Sequence, residues 1–256
     1  MRAESQSRWR ATHGLRTALT GLFVVVVGAN SAEAIAYMHR IQVIDSFRAG
    51  TATVSDGRHA DDLVHAAGLL GLGMVLVIAV VFIVWQWRTA KNAVFLGRPD
   101  ERYSPGWSIG AWFIPLANLF IPVQIMQGLW RGSDPGPLPD DWRRGRRSAL
   151  VGWWWASMIV SFLFGRWPAD RSTLSGLRSA DGRAIVGLLI ASVGAVLALL
   201  VVRAITARQL ALKTSVVDAS SYSPGVRCAS CGAGYVAGTA VCPVCSSTDL
   251  RPTPAP

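Results

Sequence analysis

An all-α integral membrane bundle, with a separate cysteine-bearing tail, is the fold class this sequence predicts. Three observations predict it. Apolar residues make up 51% of the 256 residues and charged ones only 16%, well under the roughly 25% of a soluble domain. The apolar residues fall in five blocks rather than at even density. All four cysteines lie after residue 227, outside every block. The hydrophobicity excludes a disordered chain and argues against an ordinary soluble globule.

The blocks run from about Leu15 to Met38, Leu63 to Trp87, Trp107 to Trp130, Ala149 to Gly165, and Ala184 to Thr206. About 20 residues of helix cross a hydrocarbon core of roughly 30 Å. The first, second and fifth blocks reach that length. The fourth is near the short limit, with Trp153, Trp154, Trp155 and Trp167 as interface anchors. After Ala32-Glu33-Ala34 the apolar pattern resumes with Ile35 to Met38, which favours a retained first helix over a cleaved leader. The third block is different. Pro115 and Pro122 each remove an intrahelical bond, and Asn118, Gln124 and Gln127 are polar. It reads as a Pro-broken segment, either a kinked crossing or a re-entrant one covered by protein or water. The expected fold is therefore four spanning helices plus this broken segment.

Charge bias separates the two readings. If the N-terminus is inside and the third block does not cross, the inner regions 1–16, 88–148 and 203–256 hold 18 Arg and Lys against 7 in the outer loops. If the third block crosses, the split is 12 to 13. Only the first topology follows the positive-inside tendency. It places both termini in the cytoplasm and the protein in the plasma membrane. The net charge of +10 then meets anionic lipid, above all at Arg143, Arg144, Arg146 and Arg147.

Trp85 to Leu96 reads WQWRTAKNAVFL. Tyr103-Ser104-Pro105-Gly106-Trp107, Trp112-Phe113-Ile114-Pro115, Asn118-Leu119, Pro122, Leu129-Trp130 and Trp153-Trp154-Trp155 follow. Over roughly residues 20–210 this order resembles the uncharacterised actinobacterial multi-pass membrane family known as domain of unknown function 4328. The resemblance implies a multi-pass inner-membrane protein whose signature segment is Arg88 to Trp130. It also implies that a small zinc-ribbon-like module at one end is in keeping with the family. It carries over no activity.

Cys228-Ala-Ser-Cys231 and Cys242-Pro-Val-Cys245 are two CxxC pairs ten residues apart. Cys228, Cys231, Cys242 and Cys245 supply the four thiolates that tetrahedral Zn²⁺ prefers, so a structural zinc ribbon is expected, closed to substrate by its four ligands. The stretch from Ala233 to Val241 suits a hairpin between the two knuckles. Iron is the alternative metal. A disulfide is the redox alternative, and it requires the opposite topology. Arg227 and Arg251 are the only basic residues beside the module, which disfavours nucleic acid and favours a cytoplasmic protein partner. The expected organisation is a cytoplasmic N-terminal segment (1–14), a membrane domain (15–212), a flexible linker (213–226), the zinc-ribbon-like module (227–248) and a disordered tail (249–256).

Within the blocks, Glu33 is the one acidic residue, with Asn30 three residues before it. A charge at membrane depth marks a pathway or an interior partner; an outer-interface position is the plainer reading. Glu33, Asn118, Gln124 and Gln127 are the candidate membrane-site residues, the last three by analogy with the broken helices of transporters or as ordinary hydrogen-bonding groups between helices. Gly28 and Ala32, Gly187 and Ala191, and Gly194 and Ala198 are spaced for close helix packing or a homo-oligomer. No His-Glu-x-x-His, Gly-x-Ser-x-Gly or Walker sequence is present. The leading expectation is a non-enzymatic membrane protein that docks a partner through its zinc module. The alternative is a small transporter or channel component using the third block.

Overall fold

A computed structural model describes residues 9–98, 100, 102–135, 142–166, 172–221, 226–231, 242, 244–245, 247–248 and 250–252. Six helices and two short strands follow one another: α1 (His13–Arg48), α2 (Val54–Phe95), α3 (Trp107–Gly110), α4 (Pro115–Gly132), α5 (Ala149–Arg166), α6 (Leu174–Ser221), β1 (Val226–Cys228) and β2 (Leu250–Pro252). A 3-10 turn at Trp142–Arg144 precedes α5.

The long helices outrun their apolar blocks, and local chemistry sets where they end. Thr53 and Asp56 form a capping box at the start of α2: the Thr53 N–H donates to the Asp56 carboxylate at 2.7 Å, and the Asp56 N–H donates to Thr53 Oγ1 at 3.4 Å. This starts the helix nine residues before the apolar block. Thr173 Oγ1 likewise accepts the Gly176 N–H at 3.1 Å at the start of α6. Gly50 and Gly97, with φ of 75° and 71°, follow the ends of α1 and α2. There the N–H groups of Thr51 and Arg98 reach back to the carbonyls of Ser46 and Ala93, a Schellman closure that needs the left-handed conformation glycine adopts freely.

One compact unit comprises residues 15–82 and 149–202. Helices α1, α2 and α6 are long and apolar enough to cross a membrane, and the shorter apolar α5 accompanies them. Only 11% of the apolar window of α2 is buried. Leu69, Val80, Trp153 and Leu189 are each 60% exposed or more. An apolar surface of that extent is stable against lipid and not against water, so the chain is a multi-pass membrane protein. Of the three consecutive tryptophans, Trp153 faces outward while Trp154 is buried beside Phe82, ring centroids 5.5 Å apart. Gly194 realises close packing, since a Cβ there would stand 2.7 Å from Ser157 Oγ; Gly28 has nothing within 4 Å.

Two side-chain ties fix α1 antiparallel to α6. Asn30 Nδ2 donates to Ser192 Oγ at 3.1 Å. Arg40 forks onto Asp181, from Nε to Oδ2 at 2.9 Å and from the terminal nitrogen to Oδ1 at 2.5 Å. Asp181 is 1% exposed, and Arg40 adds Asp61 of α2 at 3.0 Å.

The second unit comprises residues 1–14, 83–148 and 203–256. Its core is built on the end of α2 and carries several buried polar side chains among apolar ones such as Met126 and Ile205. Trp85, Gln86, Thr89 and Asn92 are all buried. Trp85 Nε1 donates to Thr206 Oγ1 at 3.1 Å, Gln209 Nε2 to the Thr89 carbonyl at 3.0 Å, and Trp112 Nε1 to Gln86 Oε1 at 2.8 Å. Asn92 pairs with the Arg10 backbone in both directions, at 2.8 and 2.9 Å. Arg10 stacks on Trp87 and Arg208 on Trp130, at 4.6 and 3.9 Å from the ring centroids.

Three sequence expectations change. Pro115 removes no helix bond, because it opens α4 at a position where the N–H has no intrahelical partner; Pro122 alone lies inside the helix. The expected linker 213–226 is helical as far as Ser221. Nothing from Lys213 to Ser221 is Gly or Pro, and the breaker, Pro224-Gly225, comes only afterwards. The expected disordered tail is a strand at 250–252, paired with β1. The hairpin expected over 233–241 lies outside the described residues, as do 1–8, 222–225 and 253–256.

The buried and exposed arms of the Arg40 fork give a direct contrast. Asp181→Ala strands a largely buried guanidinium and lowers stability in detergent by about 3 kcal/mol. Asp61→Ala removes a half-exposed partner and costs less than about 1 kcal/mol. Denaturant unfolding of the two purified variants checks the difference.

Candidate metal centre

The ends of the cysteine module are tied first. β1 and β2 pair antiparallel, with Val226 opposite Pro252, Arg227 opposite Arg251 and Cys228 opposite Leu250. Cys228 thus ends a strand, and the turn that follows brings Cys231 back beside it. On the other side, the Cys242 N–H donates to the Ser247 carbonyl at 2.8 Å, and Ser230 Oγ donates to Ser247 Oγ at 2.9 Å. These bonds draw the two CxxC turns together.

The four sulfurs converge within 4.8 Å of one another. Sγ of Cys228 lies 3.4 Å from Sγ of Cys245, and Sγ of Cys231 lies 3.6 Å from that of Cys242. A tetrahedral ion with metal–sulfur bonds of about 2.3 Å sets its ligands about 3.8 Å apart. A disulfide needs about 2.05 Å, and all four cysteines are free thiols. The donor set therefore fits one four-coordinate metal ion. Cys228 and Cys242 are buried and Cys245 is exposed, so the site sits at the surface of its module.

The thiols are electrostatically linked. Burial pushes the Cys228 thiol up, but hydrogen bonds at the Cys231 and Ser230 backbone and at the Cys245 and Cys242 thiols outweigh it and bring it down to about 6. Burial, together with the thiols of Cys228, Cys231 and Cys242, pushes Cys245 up to about 12 against a backbone bond at Ser247. Cys228 and Cys245 are thus pushed in opposite directions by the same cluster, and metal binding requires both as thiolates.

The membrane candidates do not assemble into one site. Gln124 Oε1 accepts from Arg102 at 3.0 Å and from the Tyr103 hydroxyl at 3.1 Å. Gln127 pairs with the Ser148 backbone in both directions, at 2.9 and 2.8 Å, and so holds the residue just before α5. Both amides are thus engaged in structural bonds. Asn118 is half-buried on α4, and its side chain makes no hydrogen bond among the described residues. Glu33 belongs to the other unit. Its carboxylate lies on the bare strip of α2 at Gly68 and Gly71, where a Cβ would stand 3.6 and 3.1 Å away. Asn30 turns instead to Ser192. The group around His59, Asp61, Asp62 and His65 does not converge as a metal set among the described residues.

Sequence reasoning missed the Arg40–Asp181–Asp61 fork and the buried polar face of Gln86, Thr89 and Asn92. The polar face had a signal, since Gln86, Thr89 and Asn92 recur every three positions, the spacing of one helix face. The fork had none: 141 residues separate its two main partners.

Cys231→Ser takes one ligand from the shell. Elemental analysis of the purified full chain is expected to fall from about one equivalent of metal to a small fraction of that, with the helical signal of the membrane part unchanged.

Among known proteins, a family model described as a domain of unknown function, DUF4328, matches residues 48–207. The match covers α2 to α5 and most of α6, and it ends before the first cysteine. No curated protein and no solved structure matches the chain. The matched span is well over half of the sequence, and the chain belongs to the DUF4328 family.

Proposed function

We propose that this chain is a non-enzymatic plasma-membrane protein whose C-terminal module binds structural Zn²⁺ and docks a cytoplasmic protein or stabilises an assembly. The observation that carries the reading is the convergence of four reduced sulfurs. Four thiolates close the coordination shell and leave no position for substrate. Zinc suits a closed four-sulfur site whose role is to hold so small a fold together, and the same site in a reducing compartment keeps its thiols.

In this reading both termini are cytoplasmic, α1, α2, α5 and α6 cross, and the third block does not. Two independent features support that. Inner regions carry 18 Arg and Lys against 7 outside. One compact unit gathers 1–14, 83–148 and 203–256, close to the stretches 1–16, 88–148 and 203–256 that this topology assigns to one side. Phe113, Leu116 and Phe120, between 63% and 76% exposed, form an apolar surface at the start of α4. In an interfacial segment that surface dips into the acyl boundary while Ile125, Met126 and Leu129 pack into their own unit. The transporter reading draws on Pro115, Asn118, Pro122 and Gln124, with Gln127 beside them; Gln124 and Gln127 are engaged in structural bonds and Asn118 is not.

Topology is read by labelling single cysteines with an impermeant reagent in intact cells, the native cysteines being replaced. Arg146→Cys, in the basic loop, is expected to be protected, and Ser172→Cys to be labelled; the reverse pattern rejects the topology. With the native cysteines present, elemental analysis is expected to give zinc rather than iron. Cys231→Ser is expected to abolish recovery of a crosslinked cytoplasmic partner while the chain stays inserted. Undiminished recovery would sink the docking role.

A further inference from the structure

A cavity of about 490 Å³ opens within the unit of residues 15–82 and 149–202. That volume lies in the range of small-ligand sites. Its polar lining includes Glu33, Tyr37 and Arg183, and its apolar lining includes Val75, Met158 and Phe162. Among the described residues neither Glu33 nor Arg183 has a hydrogen bond or an ion pair. Elsewhere in the unit, charges inside the bundle are paired, as Arg40 is with Asp181. Two opposite charges, each half-buried, thus stand apart on one largely apolar cavity.

The register shows why they do not simply meet. Asn30 faces Ser192 and Arg40 faces Asp181, so Glu33 is level with about residue 188 or 189 of α6. Arg183 is then about six residues further along, or about 9 Å at 1.5 Å per residue. Arg40 lies over the Tyr37 ring at 5.5 Å and is held by Asp181, so Tyr37 walls the cavity on that side. Glu33 is fixed against Gly68 and Gly71, whose missing side chains make room for its carboxylate.

We infer that this cavity binds a zwitterionic amphiphile, with its ammonium group at Glu33, its anionic group at Arg183 and its apolar part along Val75, Met158 and Phe162. The apolar wall points to entry from the bilayer, because Val75, Met158 and Phe162 are 54%, 37% and 53% exposed on the lipid-facing surface. A phospholipid headgroup of the ethanolamine type and a free amine–anion molecule share this chemistry. The inference does not depend on the metal module.

The test is thermal unfolding of the purified full chain in detergent, titrated with phosphatidylethanolamine, with phosphatidylglycerol of the same acyl chains, or with free phosphoethanolamine. Phosphatidylethanolamine is expected to bind about tenfold more tightly than phosphatidylglycerol, the size of one charge-assisted contact. Glu33→Gln is expected to erase that preference, and Arg183→Gln to weaken both lipids. A saturable shift with free phosphoethanolamine, lost in the same two variants, assigns the site to a soluble zwitterion. If Glu33→Gln fails to fold, Ser161 also lines the cavity, and Ser161→Phe fills it and leaves both charges in place; it is expected to abolish the phosphatidylethanolamine shift. Equal affinity for the two lipids in the unmodified chain, a preference that survives Glu33→Gln, or no shift with any probe overturns the inference.

Discussion

The fork from Arg40 to Asp181 is the contact on which the membrane unit depends most. Packing alone leaves helices in lipid free to slide and rotate, because lipid tails are as apolar as the side chains between them. A bidentate ion pair with a carboxylate 1% exposed has one satisfactory geometry. It fixes α6 against α1, and Arg40 reaches Asp61 of α2 from the same guanidinium. The Asn30–Ser192 bond repeats the same register further along. With these ties in place, the positions of Glu33, Tyr37 and Arg183 around the cavity follow from helix geometry.

The two compact units differ in where their polar side chains lie. In residues 15–82 and 149–202 the outward surface is apolar, and polar side chains bond across helices, as Asn30 and Arg40 do, or back to their own helix, as Ser157 does. In residues 1–14, 83–148 and 203–256 the interior carries Gln86, Thr89, Asn92 and Gln209, all at most 1% exposed. Buried amides of this kind specify one arrangement, since a shifted partner leaves them unpaired at a cost of about 1–3 kcal/mol each. That accounts for the density of tryptophan, glutamine and asparagine in the stretch from Trp85 to Trp130. Trp85 is fully buried and Trp112 half-buried, and each donates one directed bond.

The metal module is organised on different terms. So short a stretch buries little apolar area, and four sulfurs within 4.8 Å take the place of a core. The strand pair at Val226–Cys228 and Leu250–Pro252 closes its two ends. The family match stops at residue 207, so the module and the membrane part are separable in sequence as well as in chemistry.

Much of this protein was legible in the sequence. Block lengths and low charge determined a multi-pass helical membrane protein, because hydrocarbon admits no unpaired backbone and leaves the helix as the spanning form. Two CxxC pairs determined a four-cysteine cluster able to hold a metal ion, because thiol chemistry and short spacing are local properties. The ends of helices were less legible: capping by Thr53 and Thr173 and the late arrival of Pro224 carry α2 and α6 well past their apolar runs. Only the tertiary structure decided that Gln127 clasps Ser148, that Asn30 turns to Ser192 while Glu33 lies on Gly68 and Gly71, and that Arg40 finds Asp181. Those pairings join residues on different elements. Sequence periodicity describes one helix at a time and carries no information on how one helix is rotated against the next.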